Sequence, residues 1–125
     1  MILVDTSVWV DHLRDEEPHL VSLLRENQVL GHPMVIGELA CGNLRNRDEL
    51  LQDLKGLPTI PSAVHDEVLY LIEERRLMGR GIGFVDAHLL AATALAAPAK
   101  LWTKDMRLLR VANSLRLAYD MSYLQ

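Results

Sequence analysis

The chain has 125 residues, half of them hydrophobic, and a formal net charge of −4 at neutral pH. This length predicts one domain, residues 1–125, with enough apolar side chains for a core. The acidic balance argues against binding nucleic acid through overall charge, although a local basic patch is compatible with it. Cys41 is the only cysteine, which excludes an internal disulfide and a cysteine-based zinc site.

Neither a signal peptide nor a membrane span is predicted. The N-terminus has no basic region followed by a long apolar stretch. The most apolar run, residues 87–99, contains Pro98 and is too short to cross a bilayer. We therefore expect a cytoplasmic protein.

Short strands and helices are predicted to alternate along the chain. Ile2–Val4 is expected to be a buried strand, because it lacks the in/out alternation of a half-exposed one. Thr6 or Ser7 is expected to cap the following helix. Further strands are predicted at Val29–Leu30, Thr59–Ile60, Leu101–Thr103 and Leu117–Ala118. Further helices are predicted over Pro18–Asn27, Pro33–Cys41, a segment from a capping box at Asn46–Glu49 to Gly56, a long segment capped by Ser62, Phe84–Ala97 and Asp105–Asn113.

This order of elements predicts an α/β fold. Alternating strands and helices imply a parallel sheet with right-handed crossovers. The expected architecture is a single compact three-layer domain, with a short central parallel sheet flanked by helices.

Four of the 17 acidic residues stand in apolar surroundings. Asp5 ends the first predicted strand, and Asp105 follows the segment LWTK. Glu38 lies in MVIGELAC, and Asp86 lies in GFVDAHLLAA. Burying an unpaired carboxylate costs several kcal/mol. Each acid also has a purely structural interpretation, since the three aspartates stand where helices begin and Glu38 could face solvent.

A shared site explains the four acids together. In a parallel α/β sheet the ends of the strands meet at one crevice, where ligands bind. Several carboxylates in one pocket repel each other unless a cation compensates their charge. With no His/Cys set for zinc, oxygen ligands indicate Mg²⁺ or Mn²⁺, and such ions serve in phosphodiester hydrolysis.

Several segments occur in an order that resembles the PIN-domain family. They are the opening apolar run with DTSVW, then GEL, then a glycine-rich break before FVDAHLLAATAL, and finally LWTKDMRL. Within the family the chain is most similar to the VapC-type toxin ribonucleases of prokaryotic toxin–antitoxin pairs. The resemblance extends from Ile2 to about Leu117. It implies a PIN-like fold and a Mg²⁺- or Mn²⁺-dependent endoribonuclease.

The resemblance also assigns roles to residues. It implies that Asp5, Glu38, Asp86 and Asp105 are the catalytic, metal-binding acids, with Asp105 contributing less directly in many members. Thr6 or Ser7, and Thr103, match hydroxyls that help to order the metal and its waters. The family further implies a homodimer and a cognate antitoxin whose tail blocks the active-site groove.

Three basic residues are candidates for contact with RNA phosphates or with an acidic antitoxin segment: Arg80, Lys104 and Arg107. For Arg80, complementing a helix dipole is the alternative role. His88 follows Asp86 in an apolar helix and is more typical of a satisfied core or interface histidine than of a general base.

Two other functions remain open at this point. The first is a catalytically inactive PIN-like module that binds RNA or protein. The second is a phosphoryl-transfer enzyme of another doubly wound fold with Asp5 as nucleophile, although Asp5 lacks the second acid two residues on that haloacid-dehalogenase-like phosphatases have.

Overall fold

A short parallel sheet forms the centre of the protein. The computed structural model describes residues 1–121, and within that range the sheet has three strands, β1 (Ile2–Val4), β2 (Val29–Leu30) and β3 (Lys100–Trp102). Strand β1 lies in the middle and pairs in parallel with both neighbours. Leu3 is opposite Leu30 on one side and Leu101 on the other.

Seven helices surround this sheet within residues 1–121. They are α1 (Thr6–Arg14), α2 (Pro18–Arg25), α3 (Pro33–Ala40), α4 (Arg47–Lys55), α5 (His65–Glu74), α6 (Phe84–Leu95) and α7 (Met106–Ser114). The order and the parallel pairing confirm the predicted α/β class. Within the same range, no helix is both long enough and apolar enough to span a bilayer.

Strand β1 and helix α6 form the centre of the hydrophobic core. Strand β1 is covered on both faces and both edges, which explains why its sequence is apolar without alternation. Helix α6 is buried continuously from Ala87 to Thr93, as expected of a helix that is apolar nearly all round. It packs against α5 and β3.

Two predicted helix caps are wrong, and a third has the predicted position without the predicted hydrogen bonds. The N-cap of α1 is Asp5, whose side chain accepts the Ser7 N–H, so neither Thr6 nor Ser7 caps this helix. Helix α5 begins three residues after Ser62, and the Glu67 side chain accepts the Val64 N–H at 2.8 Å. Asn46 is the N-cap of α4, as predicted, but its backbone is in the left-handed region, at φ 50°, and its side chain makes no cap hydrogen bond. Caps depend on local backbone angles, which a residue pattern specifies poorly.

Two predicted strands are shorter than expected. Residues 59–60 and 117–118 contribute only isolated bridges, Gly31 with Thr59 and Leu101 with Ala118. Helix α6 ends at Leu95 rather than Ala97, because the residue before Pro98 is disfavoured in the helical region.

We predict that Leu3→Ala lowers the free energy of unfolding by about 2–5 kcal/mol, since it opens a cavity in the middle strand. Leu3 is 0% exposed. Urea unfolding measures the change. The matched control is Leu13→Ala, at a residue 41% exposed on α1, which should change stability by about 0.5 kcal/mol or less. An equal loss in both variants would contradict the assignment of β1 to the core.

Candidate active site

Asp5 is the most buried of the four predicted acids, with 6% of its surface exposed. Its Oδ2 atom accepts hydrogen bonds from Ser7 Oγ at 2.7 Å and from Thr103 Oγ1 at 2.8 Å. The Ser7 N–H also points to Oδ2, at 3.4 Å. The carboxylate is therefore held between the start of α1 and the end of β3.

The two hydroxyls extend this network to the segment after β3. Ser7 Oγ accepts the Lys104 N–H at 2.9 Å and lies 3.3 Å from Thr103 Oγ1. Thr103 Oγ1 accepts the Asp105 N–H at 3.1 Å. Thr103 thus connects Asp5 directly to the backbone of Asp105.

Glu38, on α3, contacts the residue next to Asp5. Thr6, the residue after Asp5, donates from Oγ1 to Glu38 Oε1 at 2.6 Å. The hydroxyls predicted as alternatives therefore have separate partners, Ser7 holding Asp5 and Thr6 holding Glu38.

Asp86 lies in the first turn of α6 and is half-buried. Its Oδ2 atom accepts the Gly83 N–H at 3.1 Å. Burial raises the pKa of Asp86, and this effect outweighs the lowering by the Gly83 bond. The negative charges of Asp5, Asp105 and Glu38 raise the pKa further. The other three carboxylates are therefore near enough to Asp86 for their charges to act on it.

Asp105 caps a helix, which was the purely structural interpretation of this residue. It is the N-cap of α7, and its Oδ1 atom accepts the N–H groups of Arg107 at 2.9 Å and Leu108 at 3.3 Å. Its side chain is exposed, and its charge still acts on Asp86.

The donor chemistry of this cluster fits Mg²⁺ or Mn²⁺. Four carboxylates supply hard oxygen ligands, and the neighbouring hydroxyls are suited to orient bound water. Among residues 1–121, no three His, Cys, Asp or Glu side chains already have the spacing of a metal site. The acids lie in one region, and their carboxylates would have to come closer together to hold an ion.

The three predicted basic residues differ in their surroundings. Lys104 is paired with two acids, its Nζ lying 3.2 Å from Asp11 Oδ2 and 3.5 Å from Glu17 Oε2. The Arg107 side chain packs over Gly81, where an added Cβ would lie 2.7 Å from Arg107 Cδ. Gly81 has φ +81°, so this close approach and this backbone both favour glycine. Arg80 Nη1 is 3.4 Å from Ser114 Oγ.

The sequence interpretation missed one buried polar residue at this edge of the sheet. His32 is 1% exposed and is the N-cap of α3, with Nδ1 accepting the Met34 N–H at 3.0 Å. Its position was detectable, because His32 follows Leu30 by two residues, just as Asp5 follows Leu3. His88 is buried as predicted, but its Nδ1 has no partner within residues 1–121.

Comparison with known proteins gives a consistent result. The family model described as PIN domain matches residues 2–114, a range that includes all four acids. Two relatives named Ribonuclease VapC32, from the CDC 1551 / Oshkosh and H37Rv strains of Mycobacterium tuberculosis, are each 53% identical to the chain over 108 residues. The match covers 86% of this chain and 87% of each relative. With its parallel α/β fold and its acidic cluster, the chain belongs to the PIN-domain family and is similar to VapC-type ribonucleases.

Proposed function

We propose that the chain is a Mg²⁺- or Mn²⁺-dependent endoribonuclease and the toxin of a type II toxin–antitoxin pair. The observation that carries this proposal is the clustering of Asp5, Glu38, Asp86 and Asp105 around the carboxyl ends of β1 and β3. The similarity to proteins named ribonuclease supports it. The family gives no support to a phosphoryl-transfer enzyme with Asp5 as nucleophile.

Each carboxylate has one oxygen engaged by the protein. Hydrogen bonds within residues 1–121 reach only Oδ2 of Asp5, Oε1 of Glu38, Oδ2 of Asp86 and Oδ1 of Asp105. The engaged oxygen orients the group, and the second oxygen is left to bind an ion. A bound divalent ion would lower the pKa of a water ligand and stabilise charge on the phosphate oxygens.

The partners in this proposal are an RNA substrate, a cognate antitoxin and a second copy of the chain, in the cytoplasm and without a membrane. Arg107 is the best-placed cation for RNA phosphate or an acidic antitoxin segment, because its side chain lies against the turn that leads into Asp86. Arg80 is a second candidate. Lys104 would have to exchange its bonds to Asp11 and Glu17 for such a contact.

A second candidate function is a PIN-like module that binds RNA or protein without catalysis. It is favoured by one observation, that no three acids of residues 1–121 already have the spacing of a metal site. Metal binding by the purified chain distinguishes the two candidates.

We predict that Asp86→Asn abolishes RNA cleavage without unfolding the protein. The raised pKa of Asp86 means that its ionised form is disfavoured in the folded chain. The variant should therefore be at least as stable as the wild type in EDTA. Cleavage is measured on total prokaryotic RNA with Mn²⁺ or EDTA, by mapping new 5′ ends.

The matched control for this test is Asp66→Asn, an exposed acid in the first turn of α5. It should cleave as the wild type does. Cuts that persist in Asp86→Asn would show either a contaminating nuclease or a site that does not use Asp86.

We also predict that the products carry 5′-phosphate and 3′-hydroxyl ends, because attack by water on phosphorus expels the 3′ oxygen. Ligation-based sequencing with and without prior phosphorylation reads the two ends. Products with 2′,3′-cyclic phosphate would instead indicate attack by the ribose 2′-hydroxyl, and would overturn the proposed chemistry.

Finally, we predict that millimolar Mn²⁺ raises the Tm of the wild type, since an ion that binds only the folded state stabilises it. Asp5→Asn should lose this increase, because it removes a ligand charge and keeps the shape of the side chain. Asp66→Asn is again the control. An unchanged Tm in the wild type, with no Mn²⁺ binding by calorimetry, would favour the binding module.

A further inference from the structure

Phe84 presents an exposed aromatic ring beside the acidic cluster. It is the only phenylalanine of the chain, and 41% of its surface is exposed. It is the first residue of α6, two positions before Asp86. Gly83, the residue before it, donates its N–H to Asp86 Oδ2 at 3.1 Å. Residues two apart on a helix point to different sides, so the Phe84 ring flanks the cluster rather than lining it.

Two histidine rings contact Phe84 edge-on. His65, the first residue of α5, lies 5.2 Å from it between ring centroids, with the ring planes at 61°. His88, one turn further along α6, lies 4.8 Å away with the planes at 85°. Neither contact is parallel, so within residues 1–121 no aromatic ring lies flat on Phe84. A ring held by such neighbours loses little side-chain entropy when a further flat group stacks on it.

The turn before Phe84 also lies against a cation. An added Cβ at Gly81 would lie 3.3 Å from Arg107 Nε and 3.5 Å from Nη1, so the guanidinium packs on this turn. An aromatic ring, a guanidinium and Asp86 therefore occur together along residues 81–86. A guanidinium suits a phosphate and an aromatic ring suits a base, and a single strand of RNA offers both groups at each nucleotide.

The charge of the protein gives little help in binding RNA. It is −4 at neutral pH, and the four acids concentrate negative charge at the site. Of the three candidate cations, Lys104 is already paired with Asp11 and Glu17. RNA binding here therefore requires a contact that does not depend on charge. Stacking of a base on an aromatic ring is such a contact, and it strengthens binding about 5- to 150-fold per base.

We propose that an unpaired RNA base stacks on the Phe84 ring while a phosphate of the same strand lies at the acidic cluster. This base subsite rests on the proposed nuclease function and deepens it, because it makes Phe84 a residue that selects the substrate. A base within a duplex is covered on both faces by its neighbours, whereas an unpaired base can stack on the protein. Phe84 therefore favours cleavage at a single-stranded position.

The contact is tested by NMR of the full chain in EDTA, so that no metal-dependent cleavage occurs. Because Phe84 is the only phenylalanine, ¹³C-labelled phenylalanine gives the signals of this ring alone. The probe is a single-stranded RNA of random sequence, about 12 nucleotides long, within the site sizes of single-strand binders. We expect it to shift the ring proton signals upfield, through the ring current of the stacked base. No shift, or the same shift with an RNA duplex of equal length, would overturn the proposal.

The contribution of the ring to affinity is measured by fluorescence anisotropy with the same single-stranded RNA. We expect Phe84→Leu, which stays apolar but has no π face, to weaken binding about 5- to 150-fold. Phe84→Trp should bind at least as tightly as the wild type. The matched control is Tyr70→Leu, at an aromatic residue 68% exposed on α5, which should leave the affinity unchanged. Equal affinity in the wild type and Phe84→Leu would contradict the subsite.

Salt separates stacking from charge. The ratio of wild-type to Phe84→Leu affinity should be the same at about 50 and 200 mM salt, since stacking releases no counterions. The corresponding ratio for Arg107→Gln should fall as salt rises, since a contact to phosphate does release them. A Phe84→Leu ratio that falls in the same way would show that the ring acts through Arg107, and would overturn the stacking role.

The base subsite and the proposed function can fail separately. A ring shift and a loss of affinity in Phe84→Leu, without any Mn²⁺-dependent cleavage, would retain the base contact and leave the chain as an RNA-binding module. Cleavage with an unchanged KM in Phe84→Leu would retain the nuclease and overturn the subsite. Ring signals that move with protein concentration, and not with RNA, would show that a second copy of the chain covers Phe84, which would also overturn it.

Discussion

The structure depends on a carboxylate buried at the end of its central strand. Asp5 follows a strand that is covered on every side, so its charge cannot be solvated by bulk water as a surface charge is. Hydroxyls from two different elements, Ser7 on α1 and Thr103 after β3, supply the compensating hydrogen bonds. These hydrogen bonds join β1, the end of β3 and the starts of α1 and α7 at one edge of the sheet, where the other acids also lie.

Placing four acids in one region has an electrostatic cost, and the packing of the core does not require it. Asp86 is half-buried near three other negative charges, and its pKa is raised as a result. A fold selected for stability alone would replace such a group, since removing one charge relieves both desolvation and repulsion. A bound cation would offset this cost, because each carboxylate would then be attracted to the ion. The destabilised site is thus what the proposed function requires.

The structural and functional roles of the acids coexist in the same side chains. Asp5 caps α1 with Oδ2, and Asp105 caps α7 with Oδ1. A capping bond uses one oxygen, limits the rotamer and leaves the second oxygen pointing elsewhere. A helix cap is therefore also a means of orienting a ligand, and the two interpretations of these residues do not compete.

The sequence by itself determined the α/β class, the buried β1 and the positions of most helices, because these depend on local apolar patterns. It also singled out the four acids, because each stands beside an apolar segment. It predicted helix caps poorly, as at Ser62 and Asn46, where backbone angles decide. Only the tertiary structure decided that Thr6 holds Glu38, that Thr103 holds Asp5 across 98 positions, that Lys104 is paired with Asp11, and that His32 is buried at the start of α3. Such partners are distant in sequence, and they meet only when parallel strands bring their carboxyl ends together.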